Sequence, residues 1–147
     1  MRSERSPARE ERGCLRADVA SGAEHILHVF NVHLGTALPE RRQQGWTLIA
    51  AEMLHNGIRG PRIVLGDFHE WTRGLAIRLL SEHLQSANVK LHLRRTCTYP
   101  GILPFMHLDH IYYDRSLKIE RMSQVRTRLS LVDSDHLPLL AHFHMGV

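Results

Sequence analysis

A short apolar run in the middle of the chain limits the folds that are open to this sequence. Residues 61–65 read Pro-Arg-Ile-Val-Leu, and Gly66 and Asp67 follow directly. A short run rich in branched apolar residues and closed by glycine is typical of a central strand that is covered on both faces. The sequence therefore predicts a layered protein in which Asp67 emerges at the carboxyl end of a buried strand.

The segments around this strand alternate between helical and extended patterns and then become mainly extended. Ser21 and Gly22 separate two apolar segments, which predicts an antiparallel hairpin. Pro39 suits the first turn of a helix that ends at the stop signal Asn56-Gly57. Strands are predicted at residues 15–19, 26–33, 61–65, 110–113, 119–126 and 137–143, and a second helix from after Thr72 to near Asn88, with Leu75, Leu79 and His83 on one stripe. This order predicts an α+β fold, a sandwich of sheets flanked by helices.

The size and composition fit one domain with a short tail. The chain has 147 residues, of which 43% are hydrophobic and 23% charged, and this length supports a real core. Residues 1–12 are mostly Arg, Glu and Ser, too polar to pack, so we predict a disordered tail there. The domain is then expected to span residues 13–147.

Cysteine usage and charge bear on the compartment and the partners. The two cysteines, Cys14 and Cys97, form neither a disulfide framework nor a close metal-binding pair, and no apolar run reaches the length of a membrane span. We therefore expect a cytoplasmic protein with reduced thiols and no transmembrane segment. The net charge of +4 is compatible with nucleic acid as a partner, but scattered arginines favour a solvated basic surface as its explanation.

Polar residues that can bind metal or carry protons stand beside four of the apolar segments. Three of these clusters lie at the ends of predicted strands, where ligand sites of layered folds gather, so we expect them to converge. The clusters are Asn31-Val32-His33, Gly66-Asp67-Phe68-His69, Leu108-Asp109-His110-Ile111 and Ser134-Asp135-His136-Leu137-Pro138-Leu139. In isolation, the Ser134-Asp135 pair is equally consistent with a turn or a helix cap.

The stretches FNVHLG, VLGDFH, LDHIYY and SDHLPL, in this order and spacing, resemble the endonuclease/exonuclease/phosphatase superfamily. That superfamily includes pancreatic-type deoxyribonucleases, abasic-site endonucleases and neutral sphingomyelinases. The resemblance implies the C-terminal portion of a four-layer αββα two-sheet sandwich whose N-terminal half is missing. It also implies hydrolysis of a phosphate ester, with nucleic acid among the candidate substrates, assisted by Mg²⁺ or Mn²⁺, because hard cations prefer carboxylate oxygen.

The resemblance also assigns roles to single residues. Asp135 would bind the metal ion, and His136 would contact the scissile phosphate while it pairs with Asp109. Asp67 would orient or deprotonate the attacking water. His33 would act as a general acid near the leaving oxygen, since imidazole transfers protons near neutral pH.

Three further residues are expected to bind the substrate. Asn31 would be the polar neighbour of His33, and Tyr99 would line the approach to the site. His69 stands where the family has asparagine, and in an extended segment it would point the same way as Asp67. This histidine is compatible with a hydrogen bond to phosphate, with a transition metal or with lowered activity.

A second departure from the family pattern keeps other functions open. The family's Gln-Glu segment, whose glutamate binds the metal, has no counterpart in this sequence, so we expect weak Mg²⁺ binding. One alternative is an inactive fragment that binds phosphate ligands or a partner, and an uncovered sheet edge would favour self-association. Another is a calcineurin-like metallophosphoesterase, because residues 66–69 resemble that family's Gly-Asp-any-His element, although its other elements are not found.

Overall fold

The computed structural model describes residues 13–21, 25–47, 57–70, 74–87 and 97–145. The strands in this part are β1 (Gly13–Ser21), β2 (His25–His33), β3 (Arg62–Asp67), β4 (Gln85–Ser86), β5 (Asp109–Tyr113), β6 (Leu117–Gln124) and β7 (Leu139–Met145). The helices there are α1 (Leu38–Gln44), α2 (Leu75–His83) and α3 (Arg128–Asp133). The α+β fold class and its two sheets agree with the sequence-based prediction.

The described strands form one large and one small sheet. The large sheet has five strands in the order β1-β2-β3-β5-β4, and the small one pairs β6 with β7. Strands β2 and β3 run parallel, whereas the other pairs in the large sheet are antiparallel. Antiparallel pairing of β1 with β2 confirms the predicted hairpin.

Both faces of the central strand β3 are buried, as its apolar run predicts. On one face, Val64 belongs to a cluster that also contains Phe30 of β2 and Leu80 of α2. On the other face, Ile63 belongs to a cluster with Ile119 and Met122 of the small sheet. The large sheet therefore lies between a helical layer and the small sheet, which makes its strand positions rigid supports for a site.

Strand register places three polar residues in one row. His33 at the end of β2 lies opposite Asp67 at the end of β3, and Asp67 lies opposite Asp109 at the start of β5. Gly66 makes this row possible because its φ is +133°, and a Cβ there would collide with the carbonyl oxygen of Val32. Only glycine adopts that backbone conformation at little cost.

Several element bounds differ from the predictions. Strand β6 begins and ends two residues earlier than expected, at Leu117 and Gln124, and β7 is shifted two residues towards the C-terminus. Helix α2 buries Ala76 and Leu80, while His83, predicted on the packed stripe, is exposed. The helix predicted to reach Asn88 ends at His83, and strand β4 follows it at Gln85–Ser86. Neither β4 nor the short helix α3 was predicted.

Some predictions fall outside the described residues. These are the disordered tail at residues 1–12, the hairpin turn after Ser21 and the second half of the helix that begins near Pro39. The expected domain limits of 13–147 stay a prediction. No helix in the described ranges combines the length and apolar character needed to cross a membrane.

Candidate active site

The carboxylate of Asp67 is the centre of the site. Its Oδ2 lies 3.8 Å from Nε2 of His33 and 3.8 Å from Nε2 of His136. Nε2 of His69 is 3.3 Å from the same oxygen. The side chain of Asp67 is 15% exposed, so one partly buried carboxylate faces three imidazoles that come from different segments of the chain.

Asp109 and Thr98 fix the orientation of His136. The imidazole donates from Nδ1 to Oδ2 of Asp109 over 2.8 Å, and the fully buried Thr98 hydroxyl donates to the same oxygen over 2.5 Å. A histidine that donates from Nδ1 to a carboxylate presents Nε2 to whatever lies opposite. Here Nε2 points towards Asp67, and the predicted pairing of His136 with Asp109 is present.

His69 reaches Asp67 through a left-handed turn and not through an extended segment. Its φ is +49°, and its backbone N–H donates to Oδ1 of Asp67 over 2.8 Å. The side chain donates from Nδ1 to the carbonyl of Leu34 over 2.9 Å, which leaves Nε2 facing Asp67. The side chains of Asp67 and His69 are close together, as predicted. A left-handed turn brings them together, however, and not an extended segment.

Two further predicted residues border this centre. The ring of Tyr99 lies 4.9 Å from the imidazole of His136, with the planes tilted by 45°. Asn31 is exposed on β2, two residues before His33 and on the same face of the strand. The structure thus brings Tyr99 against the site and places Asn31 beside it.

Asp135 does not join the carboxylate and imidazole atoms that cluster most tightly. Two groups of described residues bring ligand atoms within 4.8 Å of one another: His33, Asp67 and His69, and Asp67, Asp109 and His136. Asp135 is exposed, and its backbone carbonyl accepts a hydrogen bond from Gly101. Its role as a metal ligand stays a prediction.

The hydrogen bond that Thr98 donates to Asp109 is not predicted by any sequence pattern. Thr98 lies eleven positions before Asp109, in a loop, and no residue spacing links the two. The loop is closed by backbone hydrogen bonds from Thr98 to Met106 and from Leu137 to Thr98. Thr98 therefore connects the Asp109 and His136 segments, a relationship that only the folded chain shows.

A cleft opens beside these residues. It has a volume of about 280 Å³. Asp109 and His136 supply polar groups at its wall. Most of the remaining lining is apolar and comes from β3, β5, β7 and the loop before β7; these residues are Leu65, Gly66, Ile111, Leu137, Pro138 and Leu139. The site therefore combines charged groups with an apolar recess, as small-molecule sites commonly do.

Comparison with known proteins agrees with the fold. A family model described as the endonuclease/exonuclease/phosphatase family matches residues 4–136. A UPF0294 protein of Vibrio cholerae serotype O1 is 34% identical over 122 residues, which cover 81% of this chain and 38% of that protein. The chain thus spans less than half the length of the curated relatives it matches.

Solved structures with the same fold include two from Bacteroides. An endonuclease/exonuclease/phosphatase from Bacteroides vulgatus superposes with a TM-score of 0.73 at 20% identity, covering 92% of this chain and 56% of that one. The mannosyl-6-phosphatase Bt3783 of Bacteroides thetaiotaomicron gives a TM-score of 0.65 at 20% identity, covering 82% of this chain and 52% of that one. Most residues of this chain are matched in both superpositions, and they correspond to about half of each solved structure.

Proposed function

Because the chain belongs to the endonuclease/exonuclease/phosphatase family, we propose that it hydrolyses phosphate esters with the help of a divalent metal ion. The observation that carries this proposal is the carboxylate of Asp67, which faces His136 and His33 at 3.8 Å each. A water molecule held by this carboxylate would lie between two imidazoles that can exchange protons with it or with a phosphate ester.

Each side chain then has a distinct task. Asp67 orients the attacking water and accepts its proton. His136, held by Asp109, contacts a non-bridging phosphoryl oxygen through Nε2 and stabilises the negative charge that grows there. His33 delivers a proton to the departing oxygen, and its 47% exposed side chain leaves room for a leaving group on the solvent side.

The donor set fits a hard divalent cation with modest affinity. Mg²⁺ or Mn²⁺ would neutralise charge on the phosphoryl oxygens when bound. We assign Asp135 as its carboxylate ligand, while Asp67, Asp109 and His136 bring their own ligand atoms within 4.8 Å of one another. Such sites usually rely on one or two carboxylates together with phosphate oxygens, so we expect the metal to bind better in the presence of substrate.

The substrate is a phosphate ester whose organic part fits the apolar cleft. Tyr99 packs against His136 and is placed to contact a ring or sugar, and Asn31 and His69 offer hydrogen bonds to phosphate. The mannosyl-6-phosphatase relative supports a phosphomonoester, while the net charge of +4 supports nucleic acid. We place the reaction in the cytoplasm, where the thiols of Cys14 and Cys97 stay reduced.

Hydrolysis assays with a metal titration test this proposal. The purified chain is incubated with a nitrophenyl phosphomonoester, a nitrophenyl phosphodiester and single-stranded DNA, each with increasing Mg²⁺ or Mn²⁺. We expect metal-dependent turnover of at least one substrate and a higher metal requirement in Asp135→Ala. Phosphate binding without turnover would favour the alternative of a phosphate-binding module, and hydrolysis that is unchanged in Asp135→Ala would remove that residue from the reaction.

We also propose self-association through the edge of the large sheet. In the described part of the chain, β1 pairs only with β2, so its other edge offers backbone groups to a further strand. Leu15 and Val19 are 69% and 48% exposed, and they share a face with Leu27, which packs towards the small sheet. A second copy that covered this face would remove apolar surface from water.

A further inference from the structure

The imidazoles of His33 and His69 and the carboxylate of Asp67 form a second grouping beside the proposed catalytic residues. Their ligand atoms lie within 4.8 Å of one another. Oδ2 of Asp67 is 3.3 Å from Nε2 of His69 and 3.8 Å from Nε2 of His33. We infer that these three residues bind a divalent transition metal, Zn²⁺ in first place, at a site different from that of the proposed hydrolytic cation.

The chemistry of the donors favours this class of metal. Two imidazole nitrogens and one carboxylate oxygen are the ligands that Zn²⁺ uses in open sites with three protein ligands. Mg²⁺ prefers oxygen and keeps most of its waters, so it gains little from two imidazoles. His69 makes the site selective for Zn²⁺ over Mg²⁺, because it supplies a second imidazole nitrogen. An asparagine at this position would offer a neutral oxygen in its place.

Hydrogen bonds already hold Asp67 and His69 in an orientation that suits a metal ion. His69 donates from Nδ1 to the carbonyl of Leu34, and metal-bound histidines almost always bond a carbonyl or carboxylate in this way. Oδ1 of Asp67 accepts the backbone N–H of His69, so Oδ2 remains directed at the two Nε2 atoms. The ring centroids of His33 and His69 are 5.3 Å apart with planes 17° apart. Both Nε2 atoms lie within 3.8 Å of Oδ2 of Asp67, so the two imidazoles present their ligand atoms to one point.

The backbone at His69 adds to this arrangement. A φ of +49° is uncommon for any residue with a Cβ, although histidine and asparagine tolerate it better than most. Conformations of this kind cost energy and tend to persist where the surroundings require them, as at ligand sites. Here the turn is what brings Nε2 of His69 to Asp67.

Solvent can reach the site and complete the coordination. The side chains of His33, Asp67 and His69 are 47%, 15% and 19% exposed, so the ion enters from the side of His33 and retains a position for water. A bound ion would engage Asp67 and His33, which the proposed hydrolysis also uses. Zn²⁺ should therefore inhibit the Mg²⁺-supported reaction, and this consequence, unlike the binding itself, rests on the proposed function.

The direct test is titration of the metal-stripped full chain with Co²⁺, followed by displacement with Zn²⁺. We expect visible d–d absorption of a low-symmetry site that saturates at about one equivalent and disappears as Zn²⁺ binds. His69→Asn should weaken binding by more than about 100-fold, since loss of even an outer-sphere partner costs roughly 10–100-fold. Asparagine accepts the left-handed backbone, so this variant is expected to fold, as circular dichroism checks.

His142→Asn is the matched control, because His142 is an exposed histidine on β7 and should leave the titration unchanged. Equal Co²⁺ affinity in the wild type and in folded His69→Asn would overturn the inference. So would a spectrum of fully hydrated, six-coordinate Co²⁺ in the wild type. The titration measures binding alone, so an absence of hydrolysis would contradict the proposed function and leave this site standing.

Discussion

Oδ2 of Asp109 lies 2.8 Å from Nδ1 of His136, and these residues come from segments 27 positions apart in sequence. The carboxylate begins β5 directly opposite Asp67, whereas the histidine follows α3 in a loop. Their contact fixes which nitrogen of His136 faces Asp67. His33, Asp67 and Asp109 lie in one row at the ends of neighbouring strands, and His136 reaches this row through Nε2.

The first prediction concerns this pair. Asp109→Asn should lower kcat by about 10²-fold or more, because an amide does not hold His136 with Nδ1 protonated as a carboxylate does. Nitrogen NMR of the histidines distinguishes positioning from a general loss of structure. We expect a single Nδ1–H form of neutral His136 in the wild type and a mixture in the variant, and an unchanged tautomer together with unchanged kcat would contradict the assigned role.

The second prediction concerns the glycine that allows β2 and β3 to approach. Gly66→Ala should reduce the free energy of unfolding by more than about 1 kcal/mol, since alanine is strained at positive φ and its Cβ meets the Val32 carbonyl. Urea denaturation measures the change. Gly13→Ala is the matched control because a Cβ there meets nothing within 4 Å, and equal losses in the two variants would be evidence against a strained glycine.

The third prediction is a pH dependence of stability away from the site. The guanidinium of Arg16 and then the imidazole of His28 bond Asp18 and lower the pKa of that carboxyl from 3.8 to about 2. A carboxyl whose pKa is lower in the folded state stabilises the protein above the unfolded pKa, and this contribution disappears as the pH falls through the folded value. Asp18→Asn should therefore lower the Tm near pH 6 relative to the wild type, and the difference should close towards pH 2. A difference that stays constant over this range would count against the linkage, and added salt should reduce it.

The fourth prediction tests self-association. Sedimentation velocity over a range of concentrations should show dimers of the wild type, while Leu15→Lys combined with Val19→Lys should stay monomeric, because two charges on this face oppose its burial. Leu103→Lys changes a leucine that is 75% exposed in a loop and serves as the control. A wild type that stays monomeric at all concentrations would rule out the proposed edge contact.

The sequence predicts the core strands and most of the site because those features depend on local patterns. The apolar run before Gly66 identifies a buried strand, and parallel pairing of β2 with β3 brings His33 to Asp67 by register alone. Periodicity is ambiguous in α2, where leucines at positions 75, 79, 80 and 84 fit two overlapping stripes. Packing selects the stripe with Ala76 and Leu80, a choice that depends on neighbouring strands.

Other features were beyond prediction because they depend on contacts distant in sequence or on very short elements. Helix α3 has six residues and exposes Leu129 and Val132, so it carries no buried stripe, although Thr127 and Ser130 form a capping box. The bond between Thr98 and Asp109 depends on loop closure. The left-handed turn at His69 could not be predicted from the sequence either, because histidine also occurs in extended segments.

Asp67 is the centre of the proposed reaction, and steady-state hydrolysis in saturating Mg²⁺ or Mn²⁺ by the wild type and Asp67→Asn tests this role most directly. Glu120→Gln neutralises an exposed carboxylate on β6 and provides the matched control. We predict that Asp67→Asn lowers kcat by about 10²–10⁴-fold, the usual contribution of a positioned general base, and that Glu120→Gln retains wild-type turnover. Metal-dependent hydrolysis that persists at the wild-type rate in folded Asp67→Asn would contradict the central claim.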